Sequence, residues 1–390
     1  MSSGELRDGE QHAMPINDLL TEIEAEAARQ LAICNACRYC EGLCAVFPAL
    51  QRRTLFESGD IGQLANLCHN CKGCYHACQF IPPHAFAVNL PQILSEARFE
   101  SYAAYAWPRP LGRLFENNGV VVSLIAALGV AALLIGVGLA HAPADLFAAR
   151  TGPGAFYQVI PWGLMAGLAG GVTLFAVLAM TIGAFRFWRH TGEGGPATAG
   201  AVRPAALAAG DILTLHNLGG GGRGCNDKDE GFSTLRRRLH HFMFYGFMLC
   251  FASTTVAWIY DHFLGLVAPY PFFSAPVLLG TTGGIGMMIG TGGLLWLKFV
   301  TDQAPTARRL LGADVALLLL LFLVAATGLL LLCLRETPAM ALLLAVHLGF
   351  VLALFLLLPY SKFVHGLYRS LALLRDRRER AASLHAHSKG

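Results

Sequence analysis

The chain is short of charge. Of its 390 residues only 14% are Asp, Glu, Lys or Arg, while 55% are hydrophobic. A soluble domain carries about 25% charged residues, so this composition excludes an ordinary soluble globule. Acids are nearly missing from the long apolar runs, and no repeat is evident outside the cysteines. Both absences count against a transporter built from broken, repeated helices. An apolar leader is also missing. The opening MSSGELRDGEQHAMPINDLL is polar and mildly acidic, so no cleaved signal is expected and the first part is placed in the cytosol. The net charge of +4 is small and gives no nucleic-acid signal. The glycine run Gly219 to Gly222 precedes no Gly-Lys-Ser/Thr and follows no strand. That argues against a Walker or Rossmann phosphate site and for a docking loop.

What is present divides at one point. Eight of the eleven cysteines lie before residue 118, and nearly all the long apolar runs lie after it. The expected parts are an N-terminal tail and helix (1–30), a cysteine domain with a Pro-containing connector (31–117), a membrane domain (118–367) and a basic C-terminal tail (368–390). Ile16, Leu19, Leu20, Ile23 and Ala27 recur at helical spacing over 16–31. Six runs reach the ~20 residues a bilayer needs: about 119–139, 160–185, 241–262, 277–299, 313–334 and 340–360. The third is the least apolar, with Tyr245, Ser253, Thr254, Thr255 and Tyr260, a hint that it faces something other than lipid. The fourth is rich in glycine, which lets helices approach closely. Lys and Arg crowd alternate flanks, including the loop 190–238, while the opposite loops hold only Arg150 and Arg335. Both termini are therefore expected in the cytoplasm. The fold class is mainly α: an α-helical, ferredoxin-like head with two 4Fe–4S clusters, then a six-helix transmembrane bundle.

The chemistry rests on C-x2-C-x2-C-x3-C written twice. The first copy is Cys34, Cys37, Cys40 and Cys44; the second is Cys68, Cys71, Cys74 and Cys78. Dense cysteines in a cytosolic setting point to metal rather than disulfides. Three closely spaced thiolates wrap one cluster and the fourth reaches the other. The crossed assignment puts Cys34, Cys37, Cys40 and Cys78 on one cluster, and Cys68, Cys71, Cys74 and Cys44 on the second. Zinc sites favour separated ligand pairs instead. Ala45 and Gln79 stand where bacterial two-cluster ferredoxins place Pro after the fourth cysteine. Cys225, Cys250 and Cys333 read as structural.

Two clusters fused to a membrane domain call for an acceptor there, and histidine is the usual axial ligand of a b-type haem. His240 and His241 open the third span and His262 closes it. His347 lies inside the sixth and His365 just beyond it. On one unbroken helix, His347 and His365 would stand five turns apart on one face, about 27 Å. Pro359 lies between them and threatens that alignment. The third and sixth spans run antiparallel. His240 or His241 could then clamp one haem with His365, and His262 a second with His347. His347 is the strongest single candidate, as an ionisable group within a span.

The double motif, CQFIPPHAFAVNLPQ after it, GGGGRGC and RRRLHHFMFYGF together resemble the tricarballylate (citrate) utilization protein B family over nearly the whole chain. The membrane domain also looks like the cytochrome b subunits of nitrate and heterodisulfide reductases, with His240 as the matching histidine. The 18-residue spacing of His347 and His365 is similar to a haem-ligand pair there. The resemblance implies an electron-transfer subunit rather than a complete enzyme. It would take electrons from the reduced FAD of a separate dehydrogenase that makes cis-aconitate from tricarballylate, and pass them to quinone at the inner membrane. Another respiratory complex, or an accessory role in cobalamin synthesis, is the alternative.

Overall fold

In the computed structural model, residues 20–192, 202–220 and 223–387 are described. Residues 16–19 of the expected first helix and Gly221 and Gly222 lie outside them. The described residues are helical, with one isolated β-bridge between Cys225 and Ser233 and no strand. The head holds α1 (Glu22–Cys37), α2 (Val46–Leu50), α3 (Ser58–Leu67), α4 (Gly73–His76) and α5 (Leu90–Tyr105). The remainder holds α6 (Asn118–Ala140), α7 (Pro143–Leu146), α8 (Trp162–Thr191), α9 (Val202–Leu213), α10 (Leu235–Leu264), α11 (Ala275–Val300), α12 (Leu311–Leu334), α13 (Met340–Leu357) and α14 (His365–His387).

The local chemistry explains where elements begin and stop. A capping box starts α1: the Thr21 hydroxyl accepts from Glu24 N at 3.2 Å, and the Glu24 carboxylate accepts from Thr21 N at 3.0 Å. The Asn89 side chain caps α5, and Pro91 fits its first turn, where no N–H is missed. Gly265, at φ 65°, closes α10 in the left-handed region.

Among the described residues six helices are long and apolar enough to cross a membrane: α6, α8, α10, α11, α12 with its preceding 3₁₀ turn, and α13 with the turn after it. Their glycines allow close packing. A Cβ on Gly246 of α10 would meet Met287 N of α11 at 2.6 Å, and one on Gly290 would meet Met243 N at 2.3 Å. So the glycine stripe of the fourth span packs helix on helix. α10 packs extensively only on α11 among the long helices. Its opposite face, with Tyr245 and Thr254, is left open beside the bundle.

The head joins the bundle through a shared core. Leu31, Leu50, Leu64 and Leu94 are at most 1% exposed, and each such burial contributes about 1.5–3 kcal/mol. Phe187 of α8 and Tyr368, Ala372 and Leu373 of α14 complete the same cluster. The segment 368–390, read from sequence as a tail, is thus helical to His387 and buried along one side. Gln63 Nε2 donates to Ala372 O at 2.8 Å. Arg52 pairs with Asp376 at 2.5 Å, and Arg53 with Glu379 at 3.0 Å.

The chain does not run helically from His347 to His365. α13 stops at Leu357, Pro359 sits in a 3₁₀ turn, and Ser361 is extended at φ −126°, ψ 175°. A second 3₁₀ turn then leads into α14. Proline removes a backbone donor and clashes with the preceding turn, so the helix breaks. The five-turn alignment expected from spacing is therefore absent.

Candidate cluster and haem site

The two cysteine loops share one backbone device. Arg38 follows Cys37 and Lys72 follows Cys71, and both are left-handed, at φ 56° and 63°. Such residues cost on the order of 1–3 kcal/mol and gather where a loop must wrap a ligand. Asn70 N and Phe80 N each donate to a cysteine sulfur, Cys68 at 3.4 Å and Cys78 at 3.3 Å.

The thiols gather in two crossed sets. Cys34 lies among Cys78, Cys40 and Cys37. Cys44, from the first motif, lies against Cys71, Cys74 and Cys68. Burial, then the neighbouring Cys78, pushes the Cys34 thiol up to about 12, and Cys40 up to about 11. Thiols this close and dry cannot ionise together without cations between them. Among the described residues no three metal-binding side chains close on a single ion. Ligands spread over the corners of a cluster stand further apart than the ligands of one zinc. The residues present fit two iron–sulfur clusters.

The sets differ in surroundings. Cys37 is exposed, and Tyr39, two residues on, is 75% exposed. Cys68 and Cys71 are buried. Around the second set the backbone receives three guanidiniums. Arg98 Nη1 donates to Cys68 O at 2.6 Å, Arg369 Nη2 to the same oxygen at 2.9 Å, and Arg236 Nη1 to Asn70 O at 2.6 Å. Burial and these arginines push His69 well below its usual range. The loop after α9 also docks here: Asn226 N donates to Cys71 O at 2.9 Å, and the buried Cys225 thiol donates to Leu218 O. Sequence reading found none of these arginines as site residues. The one available signal was an arginine on the apolar side of α5, at Arg98.

Of the five histidines singled out, two meet. The rings of His240 and His365 stand 6.2 Å apart between centroids, inclined at 64°. Two imidazoles on opposite sides of one metal, each nitrogen about 2 Å from it, place their centroids about 6 Å apart. His365 Nδ1 faces Lys362 O, which leaves Nε2 for a ligand, the arrangement usual for metal-bound histidine. His240 Nδ1 is buried without a partner. The pair fits a bis-histidine haem. His241 turns away: its Nε2 meets Thr214 O at 3.0 Å and its ring stacks on Tyr245. His262 is exposed and stacks on Trp258 at 5.3 Å. His347 instead lines a cavity of about 540 Å³ that no other described histidine lines. The expected His262–His347 pair is not formed.

A helical cysteine head joined to six membrane-length helices defines an integral membrane protein with a Fer4-like domain. Residues 114–386 match the family model described as Citrate utilization protein B, and residues 27–104 match its Fer4-like domain. The chain is 48% identical over 365 residues to Citrate utilization protein B of Escherichia coli, covering 92% of this chain and 93% of that protein. The chain belongs to the citrate utilization protein B family. No solved structure matches it.

Proposed function

We propose that this chain carries electrons from the reduced FAD of a separate, tricarballylate dehydrogenase-like partner to quinone in the cell's inner membrane. The carrying observation is the order of the ligand sets: an exposed one around Cys37, a buried one around Cys68 and Cys71, and then His240 with His365 where the head meets the bundle. The printed name of the relative supports a role in citrate or tricarballylate utilization. When bound, two 4Fe–4S clusters and a b-type haem supply one-electron acceptors at these positions.

The residues set the rest. Cys34, Cys37, Cys40 and Cys78 hold the outer site, where Cys37 and Tyr39 offer a donor an open face. Cys44, Cys68, Cys71 and Cys74 hold the inner one. Arg98, Arg236 and Arg369 favour added negative charge there. Arg369 lies one turn after His365 on α14 and reaches Cys68 O, so one side chain bridges the inner thiols and the histidine pair. The head faces the cytoplasm in this reading, because Lys and Arg crowd its side of the bundle.

The test is stopped-flow absorbance on the full chain in nanodiscs with a reduced flavoprotein partner. Bleaching of iron–sulfur absorbance, then a reduced haem band, then reoxidation on adding quinone is expected. A chain that the flavoprotein never reduces would end this reading.

A further inference from the structure

The 540 Å³ cavity lies between α10 and α11 on one side and α8, α12 and α13 on the other, with loop residues such as Phe156 and Tyr270 at its far end. Nearly all of its wall is apolar, and its surroundings are the six membrane-length helices. An occupant arriving from a bilayer is itself apolar.

Three polar groups on the wall are already satisfied. Ser253 Oγ donates to Pro276 O at 2.6 Å, Thr254 Oγ1 to Cys250 O at 3.2 Å, and Tyr270 OH to Ala257 O at 2.9 Å. The hydroxyls of Thr173 and Thr281 have no hydrogen bond among the described residues, and two more strongly polar groups retain capacity. Thr327 spends its hydroxyl proton on Leu323 O at 2.6 Å, so it accepts from His347 Nδ1 at 3.1 Å. His347 Nε2 is left as a bare acceptor. Arg335, 7% exposed, gives Nη1 to Tyr270 O at 2.6 Å, while its Nε has no hydrogen-bond partner and stands 3.9 Å from the exposed Glu336 carboxylate. The ring of His347 packs against Gly328, which lies two turns, about 10 Å of helix, before Arg335, the residue that caps α12. One acceptor and one donor at separate places in an apolar chamber suit a six-membered ring bearing oxygen at both ends.

The chamber also touches the redox path. Phe247 lines it, two turns along α10 from His240. The Phe247 ring packs on Phe363 at 5.3 Å, and Phe363 is two residues from His365. A macrocycle with two carboxylates fits less well, since Arg335 is the single cationic side chain on the wall.

We propose that this cavity is the binding site of a prenylated quinone and its hydroquinone, held between His347 and Arg335. The inference rests on the electron-transfer reading above and deepens it. The quinone takes two electrons, delivered from the reduced flavoprotein through the head, and two protons from water, and leaves as hydroquinone. His347 Nε2 relays one of these protons to the nearer oxygen and is left as a neutral base. The hydroquinone O–H then donates to Nε2, and Arg335 Nε–H donates to the far oxygen.

The experiment uses the full chain in nanodiscs with a photoreactive azidoquinone and a short-tail quinone. Wild type, Ala257→Trp, which fills the chamber, and His347→Gln are compared, with iron content and absorbance spectra as controls. Labelled peptides from α12 or α13 are expected in wild type. Ala257→Trp should lose the label and reoxidise at least ten-fold more slowly with unchanged iron and spectra. His347→Gln should bind more weakly and reoxidise more slowly. Labelling elsewhere, or full-rate reoxidation of Ala257→Trp, overturns the site while leaving the relay standing. Loss of haem absorbance in His347→Gln makes the chamber a haem site and also overturns it. A wild type that the flavoprotein reduces but no quinone reoxidises overturns the site and the acceptor of the relay together.

Discussion

His240 and His365 face each other at 6.2 Å although they come from separate helices, one at the start of α10 and one at the start of α14. The break at Pro359 is what allows this. It frees the chain after α13 to turn and present His365 from the head side rather than from within the span.

If this pair holds the haem, His240→Ala and His365→Ala should each cut bound haem from about one per chain to near zero, with iron–sulfur content kept. His241→Ala and His262→Ala should keep it, because those rings are engaged elsewhere. Pyridine haemochrome assay and acid-labile sulfide read the two contents separately. Equal haem in the His365→Ala protein and wild type would dismiss the pair.

The crossed thiol sets make a second prediction. Cys44→Ser should disturb the same electron paramagnetic resonance signal as Cys71→Ser, because Cys44 lies against Cys71. Cys78→Ser should disturb the signal that Cys37→Ser disturbs. Cys44→Ser grouping with Cys37→Ser would mean that each motif closes on its own cluster.

The arginines predict a direction. Arg98→Gln or Arg369→Gln removes a positive charge beside the inner set and should lower its reduction potential, since reduction adds negative charge there. A charge-assisted hydrogen bond contributes about 1.5–3 kcal/mol, and for one electron ~1.4 kcal/mol is about 59 mV. A fall on the order of 50–100 mV in potentiometric titration is expected, with the outer set unmoved. An equal fall in both sets would show a general loss of structure.

Much of this was legible beforehand for physical reasons. A bilayer fixes the length of a span, so six runs could be counted before any coordinates. Spacing brings Cys34, Cys37 and Cys40 into one loop whatever the fold. The charge pattern put His240 and His365 at one end of the bundle. The rest depends on contacts between distant segments. Arg369 reaches Cys68 O from 301 residues away, and no local pattern encodes that. Asn226 on Cys71 O is a similar case. The helical spacing from His347 to His365 does not align the two rings, because the helix breaks at Pro359, the residue that threatened it in the sequence.

The burial of α14 in the head has a consequence for synthesis. The cysteine loops leave the ribosome before the membrane helices, but Tyr368, Ala372 and Leu373, which complete their core, leave it after them. An N-terminal domain usually folds as a unit while the chain is still growing. This one stays open along one side until all six membrane helices have been made. The core around the cysteine loops is therefore closed only once α14 has docked, and the first turns of that helix act as the latch.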